Sequence, residues 1–325
     1  MDCTEVLSAI DSATSIALIS HIMPDGDTMG SALALYMHLR AAGKEAALFC
    51  EQPVPPTYRF LSMSEAFRLP GTWDPETEPY PLVIAIDCSD LERLGDCRSI
   101  YDRAGRTVNI DHHISNERYA DINLVDDTAA AAGEMIFTLI QKAGGTVDNP
   151  MAEALYAAVS TDTGNFSYSN TTPSTHRIAA ELLGRGIDVY SLNNILFRTH
   201  SLGRTRLLAM VLSTLEIHRE GSIATLFATD DMMRQSGADE SETEGMINFA
   251  REIDTVEVGI MFRSRGDGTV KVSFRSKEYV DVSALAQSFG GGGHTRAAGC
   301  TVQGSLEEAK KQIMDRLLPM MERSR

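Results

Sequence analysis

Apolar and polar positions along this chain follow two different periods, and their alternation predicts a layered α/β protein. Short apolar runs at residues 16–20, 44–49, 82–86 and 107–110 have strand length, and the run at 82–86 is unbroken, as expected of a strand buried on both faces. Residues 21–28 form a polar loop after the first run. Leu33, Tyr36, Met37 and Leu39 then recur at helical spacing, which predicts a helix over residues 30–42 stopped by Gly43. Residues 51–81 hold seven of the eleven prolines, so a long excursion is expected there, with at most a short helix around residues 58–61. A helix over 128–143, capped by Asp127 or Thr128, and another running from Asn149-Pro150 to about Ser160 follow. Strands separated by helices imply right-handed crossovers and an open parallel sheet.

The pattern changes in the second half. Leu207, Leu208, Val211, Leu212 and Leu215 predict a helix over 204–215, followed by a strand at 223–227. Ser241-Glu-Thr-Glu244 reads as a capping box before a helix carrying Met246, Ile247, Ala250 and Ile253. Strands at 256–263 and 270–275 are joined by Arg265-Gly-Asp-Gly268, a hairpin signal. A short helix from about Ser283 runs into Gly290-Gly-Gly-Gly293, and a terminal helix starts at Ser305. At 325 residues the chain is long for one core. Two domains are expected: residues 1–190 around the parallel sheet and 217–325 as a smaller α/β unit, with 191–216 as linker and bridging helix.

Composition narrows the class. Hydrophobic content is 43% and aromatic content 6%, and no apolar run approaches the roughly 18 residues of a membrane span. The amino terminus lacks the basic start of a signal peptide, and five cysteines without a CxxC pair fit a reducing cytoplasm. A net charge of −16 disfavours long duplex nucleic acid, whose binders carry a basic face. Between Arg263 and Arg296, however, six basic residues stand against three acidic ones. A small anion fits that local excess better than a polymer does.

Four short stretches carry the candidate chemistry: His21-Ile-Met-Pro-Asp25-Gly-Asp27, Ala85-Ile-Asp87, Asn109-Ile-Asp111-His112-His113 and Ser160-Thr-Asp162-Thr-Gly164. Each has an ordinary alternative. Asp25 or Asp27 could cap the next helix, Asp87 could bind backbone, and adjacent histidines occur on surfaces. Yet His21, Asp87 and Asp111 all follow a predicted strand, and ligands of open parallel sheets gather beyond the carboxyl ends of their strands. Together the stretches offer oxygen and nitrogen donors and no thiolate, which suits a pair of hard or borderline divalent cations. Two such ions side by side polarise a phosphoryl oxygen, make hydroxide from water and stabilise in-line displacement. Gly290-Gly-Gly-Gly-His294-Thr-Arg296 could be a flexible linker, but exposed amides beside an arginine also make an anion cradle.

In order, and over nearly the whole chain, these elements resemble the DHH phosphoesterase superfamily. Asp111-His112-His113 matches the motif that gives the superfamily its name, and His21 to Ser31, Asp87 and Ser160 to Gly164 look like its first, second and fourth motifs. Gly291-Gly-Gly-His294-Thr-Arg-Ala-Ala-Gly299 is similar to the glycine–histidine signature of the DHH-associated domain. The resemblance implies an N-terminal DHH domain and a C-terminal DHH-associated domain, with the active site in the cleft between them. It implies one ion held by His21, Asp25 and Asp87 and another by Asp27, Asp87, His112 and Asp162, the usual metal being manganese. His113 would contact the scissile phosphate, with Asp111 orienting a ring. Arg275, Gly292, Gly293, His294 and Arg296 would grip the substrate. Length and layout are most similar to the branch that degrades short RNA oligonucleotides to mononucleotides and removes the 3′-phosphate of adenosine 3′,5′-bisphosphate (pAp). The alternative within the superfamily is hydrolysis of linear or cyclic dinucleotides. A small nucleotide or short single-stranded RNA is therefore the expected partner, with no membrane, and a homodimer is compatible with the resemblance.

Overall fold

The computed structural model describes residues 2–323, and the chain divides into two compact units, Met1–Thr199 and His200–Arg325. The first is built on six strands: β1 (Ser15–Ser20), β2 (Glu45–Phe49), β3 (Phe67–Arg68), β4 (Leu82–Ile86), β5 (Arg106–Asp111) and β6 (Ile122–Val125). All neighbours pair in parallel, in the order β3-β2-β1-β4-β5-β6. The strand order reverses between β1 and β4, and that reversal opens a crevice at their carboxyl ends.

Both faces of this sheet are covered, which explains the apolar strand runs. Ile16, Leu18, Ile84 and Ile86 point into a core shared with the helices Gly26–Ala41, Ala132–Lys142 and Asn149–Asp162. Ala17, Ile19, Val83 and Ala85 point the other way, onto Leu94, Cys97, Ile100 and Tyr101. That alternation is the two-residue period of a strand. Helices Gly26–Ala41 and Asn149–Asp162 approach unusually closely. A Cβ at Gly30 would lie 2.2 Å from the Ala154 carbonyl oxygen, and one at Gly26 would lie 2.3 Å from Thr161 Oγ1.

Several helix starts differ from the sequence expectation for identifiable reasons. The first long helix begins at Gly26 rather than residue 30, because the Asp25 carboxylate accepts the N–H groups of Asp27 and Thr28 at 3.0 and 3.2 Å. The helix expected from residue 128 begins at Ala132 instead. Asp126 takes the Thr128 N–H and hydroxyl in a local turn, and no side chain caps the helix from its own flank. The excursion after β2 contains only a single 3₁₀ turn at Pro56–Tyr58 and a second at Ser64–Ala66 before the two-residue β3.

The second unit is a mixed sheet of β7 (Glu216–His218), β8 (Ile223–Ala228), β9 (Val258–Ser264), β10 (Thr269–Ser276), β11 (Gly292–His294) and β12 (Ala297–Gln303), ordered β11-β12-β10-β9-β8-β7. Only β8 and β9 run parallel. Phe262, Phe274, Leu285, Ile313 and Leu317 form the core on one side, and Leu207, Val211, Leu226 and Met246 on the other. The helix Leu202–Leu212, expected as a bridge, packs into this unit. The capping box lies two residues earlier than expected, at Asp239 and Glu242. The glycine run is not a loose loop: Gly292–His294 pairs with Ala297–Gly299 as a tight hairpin. Gly293 has φ +137°, and a Cβ there would meet the Ala297 carbonyl oxygen at 2.5 Å, so glycine is required at that position.

All five cysteines are free and buried. Among the described residues no helix is long and apolar enough to cross a membrane.

Candidate metal centre

The crevice at the β1/β4 reversal collects all six side chains expected as metal ligands. His21 follows β1, Asp87 follows β4 and His112 follows β5, while Asp25 and Asp27 come from the start of one long helix and Asp162 from the end of another. Three overlapping groups result. The ligand atoms of Asp87, His112 and His113 lie within 4.8 Å of one another, and so do those of His21, Asp25 and Asp87 and those of Asp27, His112 and Asp162. Asp87 stands between two imidazoles: its Oδ2 is 3.4 Å from His21 Nε2, and its Oδ1 is 3.4 Å from His112 Nε2. His112 Nε2 is also 3.6 Å from Asp27 Oδ2 and 3.6 Å from Asp162 Oδ2.

Backbone geometry aims these groups. Asp87 has φ +60°, a left-handed conformation that aspartate tolerates better than most residues, and its N–H is held by the Ile110 carbonyl at 2.9 Å. His21 Nδ1 lies 2.7 Å from the Ile22 carbonyl oxygen and 3.0 Å from Arg93 Nη2, and Nε2 faces the carboxylates of Asp25 and Asp87. The close packing of Gly30 on Ala154 brings the two long helices together, and Asp27 and Asp162 both lie 3.6 Å from His112 Nε2.

Hydrogen bonding leaves this cluster unsatisfied. Among the described residues, His21 Nε2, His112 Nε2 and Asp87 Oδ1 are buried with no hydrogen-bond partner. Buried polar atoms without partners are rare, and here three of them converge on one place. Separations of 3.4–3.6 Å are too long for hydrogen bonds. They suit neighbouring donors around an ion with bonds of about 2.0–2.6 Å. The residues therefore fit divalent cations.

Electrostatics agrees. Burial pushes Asp27 well above the usual carboxylate range, and the charges of Asp87 and Asp162 add to that. Asp162 is pushed up to about 6 by burial together with Asp87 and Asp25, against the opposing pull of His112. Burial would lower both His21 and His112, yet the surrounding carboxylates outweigh it and raise each to about 10. Burial would likewise raise Asp87, but the two imidazoles hold it far below the usual range. Such a cluster demands positive charge, and protons supply it wherever cations do not.

His113 and Asp111 have different places. His113 is partly exposed at the edge of the cluster, with Nδ1 2.7 Å from Asp111 Oδ1 and 3.5 Å from Asp87 Oδ1. Its hydrogen bond to Asp111 raises its pKa. Asp111 itself is fully buried, also accepts from Asn116 Nδ2, and joins none of the ligand groups. Asn116 and Ser31, whose hydroxyl donates to Asp27 Oδ1 at 3.1 Å, were not among the expected residues. A lone asparagine or serine in a loop or helix carries no signal that separates it from its neighbours.

In the second unit, β-pairing aligns Arg275 with Ala297 and Ala297 with His294, so these fall in one cross-strand row. His294 is exposed, as are Gly292 and Gly293. Arg275 Nη1 donates to the Phe274 carbonyl at 2.9 Å. Arg296 donates to the carbonyls of Val280, at 2.8 Å, and Glu278, bracing the turn before the helix Val282–Gln287.

Comparison with known proteins places this geometry. The family model described as "DHH family, N-terminal domain" matches residues 15–159, and the DHHA1 domain matches 220–319. The bifunctional oligoribonuclease and PAP phosphatase NrnA of Thermus thermophilus is 36% identical over 96% of this chain and 91% of its own length. The chain belongs to the DHH family. Its similarity to the protein of the same name from Bacillus subtilis is 30% identity, covering 96% of both chains. Among solved structures, an exopolyphosphatase-related protein from Bacteroides fragilis superposes with a TM-score of 0.91 at 26% identity, covering 98% of this chain and 97% of the other. The parallel sheet of the first unit is thus the DHH fold, and the mixed sheet of the second is the DHHA1 domain. Membership of this family of hydrolases accounts for a metal-ligand cluster at the sheet's carboxyl edge.

Proposed function

We propose that this DHH protein is a two-metal phosphoesterase that hydrolyses short RNA oligonucleotides to mononucleotides and removes the 3′-phosphate of pAp. The observation that carries the reading is Asp87, whose two oxygens each face a different imidazole at 3.4 Å, as a carboxylate shared between two ions requires. The names of the relatives that align with nearly the whole chain support the substrate class. In this reading His21, Asp25 and Asp87 hold one cation and Asp27, Asp87, His112 and Asp162 the other. We assign manganese, the metal that the resemblance to the superfamily implies, and a donor set of carboxylate and imidazole with no thiolate is compatible with it. When bound, the pair supplies Lewis acidity at the phosphoryl group and lowers the pKa of water.

The chain's own residues do the rest. Asp111 fixes the His113 tautomer with the proton on Nδ1 and leaves the opposite ring edge for the phosphate. A protonated His113, which its raised pKa favours, adds positive charge where charge develops on phosphorus-bound oxygen. The partly exposed sides of Asp25, Asp162 and His113 mark where substrate enters. Residues 217–325 serve as the substrate-binding domain and residues 1–190 as the catalytic domain. There His294, Arg275 and the exposed amides of Gly292 and Gly293 contact the nucleotide, and Arg296 holds their hairpin in place. The net charge of −16 and five free thiols fit small nucleotide substrates in a reducing cytoplasm.

The test is Asp87→Asn, which keeps shape and removes the shared charge. Wild type should bind two Mn²⁺ per chain and hydrolyse pAp and RNA dimers to pentamers faster than pApA, cyclic-di-AMP or pyrophosphate. The variant should lose one ion or both, and turnover should fall by about 10³-fold or more. Near-normal turnover of Asp87→Asn in excess Mn²⁺ would remove the two-metal reading.

A further inference from the structure

A separate cavity opens in the first unit beside β3 and the segment that leaves β2. Its volume is about 450 Å³, within the range of small-molecule sites. Val54, Phe67 and Leu69 give it apolar walls, and Gln52, Arg59 and Arg68 bring hydrogen-bonding groups. Because every strand is parallel, the residues following β2 and β3 emerge at the same edge of the sheet as His21 and Asp87. The order β3-β2-β1 puts β3 two strands from β1, roughly 10 Å. Gly95 links the two: a Cβ there would lie 2.5 Å from both Glu51 Oε1 and Ile22 Cγ2, so the start of the segment leaving β2 and the residue next to His21 pack on the same glycine.

The chemistry of the walls selects the occupant. Both guanidinium groups have acidic company. Glu78 accepts two hydrogen bonds from Arg68, at 3.2 and 2.8 Å, and Arg59 shares the cavity with Glu65. A phosphate would need surplus positive charge, and with Arg68 paired to Glu78 and Glu65 on the same wall as Arg59 the cavity has little. A flat uncharged group with hydrogen-bonding edges fits instead. Arg68 is also fixed over the Phe49 ring at 5.1 Å, which makes it a rigid plane rather than a mobile charge. Leu69 at the cavity and Met23 between His21 and Asp25 are both largely exposed, so apolar side chains stand in water at the metal centre and at the cavity alike.

We propose that this cavity seats a nucleobase of a short RNA oligonucleotide, one belonging to a nucleotide next to the scissile phosphate. The proposal rests on the oligonucleotide reading above and adds the element that tells RNA of several nucleotides from pAp. It is tested by comparing kcat/KM for pAp with that for RNA trimers and pentamers in wild type, Arg59→Ala and Leu69→Glu. Both substituted side chains are exposed, and the pAp rate reports whether each variant is folded and metal-loaded. The expected result is an unchanged pAp rate with at least about a fivefold loss on the RNAs, as removal of one base contact predicts. Equal losses on both substrates, or no loss on either, would overturn the proposal. A wild type that hydrolyses pAp but no RNA would overturn it while leaving the phosphoesterase reading intact, and a wild type that hydrolyses neither would overturn both.

Discussion

Gly30→Ala sets two effects of known size against each other. Gly30 lies inside the Gly26–Ala41 helix with ordinary helical backbone, and alanine there should stabilise the helix by about 1 kcal/mol. Against this, the new Cβ would lie 2.2 Å from the Ala154 carbonyl oxygen, roughly 1 Å inside normal contact. Overpacking of that kind costs about 1–3 kcal/mol. The obstacle is backbone, which cannot rotate away, so the upper half of that range applies and the net loss is roughly 1–2 kcal/mol. For a unit of this size the melting temperature should fall by about 2–8 °C. The effect on activity should be larger. Asp27 lies one turn before Gly30, and Asp162 two turns after Ala154, so parting the helices widens the second ion's cage. A displacement of about 1 Å at reacting groups can cost about 10²-fold in rate. The assay is calorimetry with Mn²⁺ and with chelator, together with kcat/KM on pAp. Gly71→Ala, at a glycine with nothing within 4 Å, is the control. If Gly30→Ala melts at or above wild type and keeps full activity, the close helix approach does not set the site's geometry.

Other substitutions separate the roles of the remaining residues. Asp27→Asn should abolish activity and also lower the melting temperature of the chelated protein, since an amide keeps only one of the two oxygens that accept the Ala132 and Gly133 N–H groups; an unchanged melting temperature would contradict this. Asp111→Asn should lower kcat by about 10–100-fold with little change in KM, because His113 loses its tautomer; a change confined to KM would argue against positioning. His21 and His112, both raised to about 10 from 6.5, keep protons in the metal-free protein that cations must displace. Mn²⁺ affinity should therefore rise with pH up to about 10, with protons released from His21, His112 and the raised Asp27, read by titration calorimetry in buffers of different ionisation heat; zero release would refute the assignment. The same shifts make the chelated protein gain stability from these imidazoles below about 6.5 and lose that gain as pH climbs towards 10. Arg296→Ala should raise KM more than it lowers kcat, by untying the hairpin from the turn at Glu278 and Val280, and an unchanged KM would detach the hairpin from binding.

The strands that carry ligands were legible because they are buried on both faces, and β1, β4 and β5 all read as apolar runs ending in His or Asp. Their convergence followed from one rule about parallel sheets. What local sequence could not show were contacts made across the fold. The helix at Ala132 has no cap of its own, since Asp27, more than a hundred positions away, accepts the N–H groups of Ala132 and Gly133 at 2.6 and 2.9 Å. No window of neighbouring residues contains that partner, so a nearby threonine was the natural but wrong choice. The glycine hairpin hid for the opposite reason. Its strand has almost no side chains, and β-pairing there is written in what glycine permits rather than in an apolar period. Short edge strands such as β3 and β7 leave too few positions for any period to register.

Asp27 thus has two duties in one carboxylate: it tethers the amino end of a distant helix and is a candidate ligand of the second ion. A change at this position cannot trade catalytic power for sturdiness by small steps, because losing the acceptor unmoors a helix while losing the charge empties the cage. Evolution has little room to tinker here, because no single replacement side chain keeps both the paired acceptor oxygens and the charge.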